Sequence, residues 1–122
     1  MALILVVDDE PDVRAFVAAA LRLAGHEVDV AADGSEALRR YRARRADLVI
    51  MDIFMPEKEG LETIMDLRQE FPDVRILAIS GGGRTGDRNF LAQARYFGAG
   101  RSLAKPFSHE QLLKIVEEQL RG

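Results

Sequence analysis

The chain has 122 residues, 48% hydrophobic and 30% charged, the balance of one globular domain with room for its own core. It has no Cys, which excludes disulfides and thiolate metal sites and leans towards a reducing compartment. Its formal net charge of -3 argues against nucleic acid as the main partner, because that role asks for a basic face. The apolar run over 2–7 ends in three acids and reads as neither a signal peptide nor a membrane span, which needs roughly 20 apolar residues.

The first element is a strand over 3–7, continuously apolar as in a parallel sheet buried on both faces. Pro11 opens a helix whose apolar positions Val13, Phe16, Val17, Ala20 and Leu21 recur at helical spacing, and Gly25 is placed to end it. A second strand follows over 28–32. Asp33 with Glu36 three residues on predicts a capped helix to about Ala43. The arginines near its end (Arg39, Arg40, Arg42, Arg44 and Arg45) read as a solvated helix terminus, where cations complement the helix dipole.

The third strand covers 48–51, and Leu61, Ile64, Met65 and Phe71 mark the third helix. A fourth strand is expected over 74–79, then a helix carrying Phe90, Leu91, Ala94 and Phe97, and a short strand over 101–104. Ser108 and Gln111 cap the last helix, with Leu112, Leu113, Val116 and Leu120 on its apolar side. Alternation of this kind predicts a doubly wound α/β domain over 1–122, with five parallel strands in the order 2-1-3-4-5 and five helices.

Such sheets place their site at the carboxyl ends of the strands. Here those ends carry Asp8, Asp9 and Glu10 after the first strand, Asp52 after the third, Ser80 at the fourth and Lys105 after the fifth. Taken singly, each has an ordinary structural explanation: a helix-start acid, a turn Asp, a turn Ser, a solvated Lys. Together they make a coherent phosphoryl-transfer site. Crowded carboxylates call for a hard divalent cation, and Mg2+ prefers carboxylates, water and phosphate oxygens. A carboxylate can form an aspartyl phosphate, while a cation, an ammonium and a hydroxyl meet the charge on the transferring oxygens.

With these residues placed, the sequence resembles a response regulator receiver domain of two-component signalling, over its whole length. The motifs are Val6-Val7-Asp8-Asp9-Glu10-Pro11, then Met51-Asp52-Ile53-Phe54-Met55-Pro56 with Gly60, then Ser80, then Lys105-Pro106-Phe107. The resemblance implies that Asp52 is the phospho-acceptor. It also implies that Mg2+ is held by Asp8, Asp9, Asp52 and the Phe54 backbone carbonyl, and that Ser80 and Lys105 bind phosphoryl oxygens. It implies a cis Lys105-Pro106 bond. The domain would be a cytoplasmic signalling switch rather than an enzyme acting on other substrates, catalysing only its own phosphorylation and dephosphorylation. A sensor histidine kinase or phosphotransfer protein would supply the phosphoryl group. A downstream protein would be engaged through about 87–120, with the domain a monomer or a phosphorylation-dependent dimer and neither nucleic acid nor membrane a partner.

Three departures from the family pattern stand out. Ser102 occupies a place that is often aromatic, three before the site lysine. Phe54, two after the acceptor, is bulky and is expected to shield an acyl phosphate from water. A glycine-rich stretch, Gly81-Gly82-Gly83-Arg84-Thr85-Gly86, follows Ser80 without the Gly-Lys-Ser/Thr ending of a P-loop. The chain stops soon after the last helix, so a stand-alone messenger, a phosphate sink or a piece of a longer chain are all expected forms. Two other classes fit less well. A dehalogenase-like phosphatase would have a second Asp at Phe54, and a flavodoxin-like carrier would not place Asp8-Asp9-Glu10 in its phosphate loop. His26 and His109 fall near element boundaries and carry no expected role.

Overall fold

The computed structural model describes residues 2–53, 59–80 and 100–121. Five strands, β1 (Leu3–Val7), β2 (Glu27–Ala31), β3 (Leu48–Asp52), β4 (Ile76–Ser80) and β5 (Arg101–Ala104), form one sheet. Its order is β2-β1-β3-β4-β5, and every neighbouring pair is parallel. The helices among the described residues are α1 (Pro11–Leu23), α2 (Gly34–Ala43), α3 (Glu59–Glu70) and α4 (His109–Arg121). The helix expected around 90–97 lies outside the described residues, as do Phe54 and the glycine-rich stretch.

Strand periodicity sorts the core into two layers, because successive side chains point to opposite faces. Leu5, Val7, Val49, Met51, Ile76 and Ala78 face α2 and α3, meeting Ala37, Tyr41, Leu61, Ile64 and Leu67. Ile4, Val6, Leu48, Ile50, Leu77 and Ile79 face α1 and α4, meeting Val17, Ala20, Leu21, Leu112 and Val116. The sheet is therefore covered on both sides, which is why β1 and β3 read as unbroken apolar runs.

Local chemistry fixes the helix ends. Gly25 adopts φ 96° after α1, and the Gly25 and His26 N–H groups donate to the Arg22 and Leu21 carbonyls, closing a Schellman motif. Asp33 accepts from the Glu36 N–H at 2.8 Å, but the Glu36 carboxylate reaches one residue further back, to the Ala32 N–H at 2.9 Å. That backbone hydrogen bond, set against partial burial and helped by Arg40 and Arg39, holds the Glu36 carboxyl below its usual pKa. Ser108 and Gln111 make the full reciprocal capping box at 3.0 and 2.8 Å.

Three strands differ slightly from expectation, β3 by taking in Asp52 as its last residue. β2 spans Glu27–Ala31, and β4 begins at Ile76 rather than at Val74. Val74 is buried, but its N–H donates to the Phe71 carbonyl at 3.0 Å in the turn leaving α3. An apolar turn residue that packs into the core looks like the start of a strand in sequence.

The arginine run is largely paired. Arg40 meets Glu36, Arg42 makes a two-pronged contact with Glu70 at 2.7 Å, and Arg44 meets Glu27 at 2.6 Å. Arg45 lies over the Phe71 ring, 4.6 Å from its centroid, and Tyr41 packs edge-on against that ring.

Candidate functional site

The site is built at the sheet edge where β1 and β3 end side by side and β5 ends beyond β4. Asp8 follows β1 directly, and its N–H donates to the Ala31 carbonyl, prolonging the β1–β2 pairing by one residue. Its side chain is fully buried, with Oδ1 accepting from the Glu10 N–H at 2.9 Å. The Asp8 carbonyl accepts from Arg14 Nη1 at 2.7 Å, which ties the loop to the first turns of α1. Asp52 is the last residue of β3 and is buried as well. The helix that follows it approaches closely: a Cβ on Gly60 would overlap the Asp52 carbonyl oxygen and the Ile53 Cα. Glycine at 60 is what lets α3 begin against the site.

Lys105 follows β5, and its bond to Pro106 is cis, as expected. Its Nζ lies 3.2 Å from Asp8 Oδ2, 3.3 Å from Glu10 Oε1 and 3.6 Å from Asp52 Oδ2. Burial of the ammonium pulls its pKa down. The charges of Asp52 and Asp8 and the hydrogen bonds to Asp8 and Glu10 more than offset that, so the pKa sits above the ordinary lysine value. Lys105 is therefore a permanent cation at neutral pH.

Asp8, Glu10 and Asp52 each place a carboxylate oxygen within 4.8 Å of the others. Three hard oxygen donors, two of them on buried side chains, suit Mg2+. Of the residues expected from sequence, the structure thus joins Asp8, Asp52 and Lys105. Asp9 is exposed and stands outside that carboxylate group. Ser80 ends β4 opposite Ala104, at the same sheet edge, but its side chain, like Phe54, lies outside the described residues. Ser102 is half-buried within β5, opposite Ala78. His26 accepts a hydrogen bond from the Ala2 N–H, and His109 packs against Phe16, both remote from the carboxylates in their contacts.

Sequence reasoning left Glu10 and Arg14 without roles. Glu10 could have been found from its position: it precedes Pro11 and is the N-cap of α1, so it shares a short pinned loop with Asp8. Arg14 carries no comparable signal, since its partner is a backbone carbonyl.

Residues 4–117 match the family model of the response regulator receiver domain. The chain belongs to the response regulator receiver family. Members of this family accept a phosphoryl group on an aspartate, bind Mg2+ at an acidic site and act as switches in two-component signalling. The transcriptional regulatory protein PrrA of Mycobacterium leprae is 39% identical over 118 residues, 97% of this chain and 49% of that protein. The probable transcriptional regulator ycf27 of Cyanophora paradoxa is 36% identical over 97% of this chain and 48% of its own length. The chain therefore spans about half the length of the curated relatives it matches. Among solved structures, the receiver domain of NtrX from Brucella abortus superposes with a TM-score of 0.90 at 33% identity, covering 97% of this chain and 98% of that one. The chemotaxis protein CheY4 of Vibrio cholerae gives 0.86 at 34% identity, over 97% and 98%.

Proposed function

We propose that Asp52 is the phospho-acceptor of this receiver, taking its phosphoryl group from a phosphohistidine on a sensor kinase or phosphotransfer protein. The observation that carries this reading is the buried Asp52 carboxylate facing a second buried carboxylate, Asp8, with the Lys105 ammonium within reach of both. In the transfer, an Asp52 oxygen forms a bond to phosphorus as the phosphorus–nitrogen bond to the donor imidazole breaks, and the imidazole keeps the electron pair. Lys105 then turns to a phosphoryl oxygen, whose negative charge takes the place of its carboxylate partners.

Asp8, Asp9, Asp52 and the Phe54 carbonyl are the proposed holders of Mg2+. When bound, the ion neutralises charge on the phosphoryl oxygens. The Ser80 hydroxyl is assigned to a further phosphoryl oxygen, and the Phe54 side chain to slowing hydrolysis of the acyl phosphate. Asp8 orients the loop through the Glu10 N–H, and burial of Asp8 and Asp52 limits water at the nucleophile.

In this reading residues 1–122 form one cytoplasmic signalling domain whose catalysis is confined to its own phosphorylation and dephosphorylation. It controls a protein partner through about 87–120 or serves as a phosphate sink. It does not itself bind nucleic acid: the net charge is -3, and the arginine run is largely spent on Glu36, Glu70, Glu27 and Phe71. Curated relatives named as transcriptional regulators extend well beyond the region they share with this chain.

The test is intact mass after incubation with acetyl phosphate and Mg2+. Wild type is expected to gain one phosphoryl group, and Asp52→Asn and a magnesium-free control none. No gain from acetyl phosphate or from any cognate kinase, with no binding of beryllofluoride, would replace the switch by a degenerate receiver that works through protein contacts alone.

A further inference from the structure

Glu10 is the member of the carboxylate group that does not come from the first residue after a strand or the last within one. It is the N-cap of α1, a place where a side chain is expected to turn back onto the exposed N–H groups, yet it makes no cap hydrogen bond. Its carboxylate reaches the other way, to Lys105 Nζ at 3.3 Å. The backbone leaves it little choice of origin, because Asp8 holds the Glu10 N–H at 2.9 Å and Arg14 holds the Asp8 carbonyl at 2.7 Å.

The three contacts of Lys105 are unequal. Asp8 and Glu10 lie at 3.2 and 3.3 Å within hydrogen-bond reach, while Asp52 is at 3.6 Å. Glu10 is also the one that remains in water, with 62% of its side chain exposed against 0% for Asp8 and 2% for Asp52. An ammonium seated between Asp8 and Asp52 would satisfy the same oxygens that a divalent cation needs, and the two cations would compete. A third carboxylate at the rim pulls that ammonium outward. Because it is hydrated and screened, it releases the ammonium easily once a phosphoryl group offers a stronger charge.

We propose that Glu10 is a positioning residue that shares Lys105 with the two buried aspartates, drawing the ammonium towards Asp8 and the solvent side and away from closer contact with Asp52, and so easing access of a divalent cation to the buried pair until phosphorylation. This rests on the roles proposed above for Asp8, Asp52 and Lys105.

The experiment is a Mg2+ titration by calorimetry on wild type, Glu10→Gln, Lys105→Met and the double variant, with metal-free 13C spectra of the aspartate carboxyl carbons. Glu10→Gln is expected to raise the Mg2+ Kd about threefold to tenfold, as loss of a supporting partner of a metal site does. In the Lys105→Met background the same change is expected to shift Kd less than about twofold, because there is no ammonium left to hold. In the metal-free protein, Glu10→Gln is expected to move the Asp52 carboxyl resonance as Lys105 closes on it. Equal Kd shifts in both backgrounds would overturn the proposal and make Glu10 a direct contributor of charge to the cation. An Asp52 resonance that stays put would overturn it independently of any metal. If wild type binds no Mg2+ while the resonance moves, the metal role fails and the placing of Lys105 by Glu10 stands.

Discussion

One lysine ammonium faces both buried carboxylates at the site. Lys105 faces Asp8, Glu10 and Asp52 at once, and two of those carboxylates have almost no access to water. Removing the ammonium takes a counter-charge from the buried pair, so in metal-free buffer Lys105→Met is expected to lower stability by about 2 kcal/mol. The pH dependence follows from the raised pKa of Lys105. A cation favoured by the fold contributes fully below the unfolded lysine value of about 10.4, and the contribution is lost as pH rises through the folded value. Urea melts from neutral pH upwards are expected to show a constant gap between wild type and variant that narrows only in strong alkali. A gap that closes near neutrality would mean that another group supplies the compensation.

At the scale of elements, the start of α3 and the start of α4 make an informative contrast. A methyl group at position 60 would collide with backbone atoms of Asp52 and Ile53, which cannot rotate away. Gly60→Ala is expected to cost about 2 kcal/mol, in the range of overpacking, and to slow phosphoryl uptake because Asp52 must shift. Ser108→Ala removes one half of a capping box and should cost about 1 kcal/mol while leaving phosphoryl uptake unchanged. Uptake slowed equally by both would uncouple Asp52 from α3.

The same elements show what sequence can carry. The capping pairs Asp33/Glu36 and Ser108/Gln111, the glycine after α1 and the unbroken apolar strands are local signals, and each sits within a residue or two of its expected place. Asp8, Asp52 and Lys105 were legible because parallel strands must end on one edge. Glu10 was placed at the same edge but without its contact to Lys105, since an acid before Pro11 has a sufficient local explanation as a helix-start charge and that contact spans 95 residues. Val74 was misread for the opposite reason, being buried without being paired.

For the molecule as a whole, the two core layers clamp the sheet, and the buried carboxylates Asp8 and Asp52 lie at the edge where its strands end. At the arginine-rich end of α2, Arg40, Arg42 and Arg44 each meet a glutamate, and the chain carries a net charge of -3. The domain alone is therefore expected to leave duplex DNA unretarded even at low salt, where phosphate contacts are strongest. Salt-sensitive binding by this domain, abolished by changing Arg39 and Arg42, would contradict that. No helix among the described residues is long and apolar enough to cross a membrane.

The central claim concerns a single carboxylate, so the most direct measurement maps the phosphoryl group to a residue. Borohydride reduces an aspartyl phosphate to homoserine, and peptide sequencing by mass spectrometry after phosphorylation and reduction locates it. Homoserine is expected at position 52 and nowhere else; homoserine at position 8 or 9, or none in protein that had gained a phosphoryl group, would contradict the account.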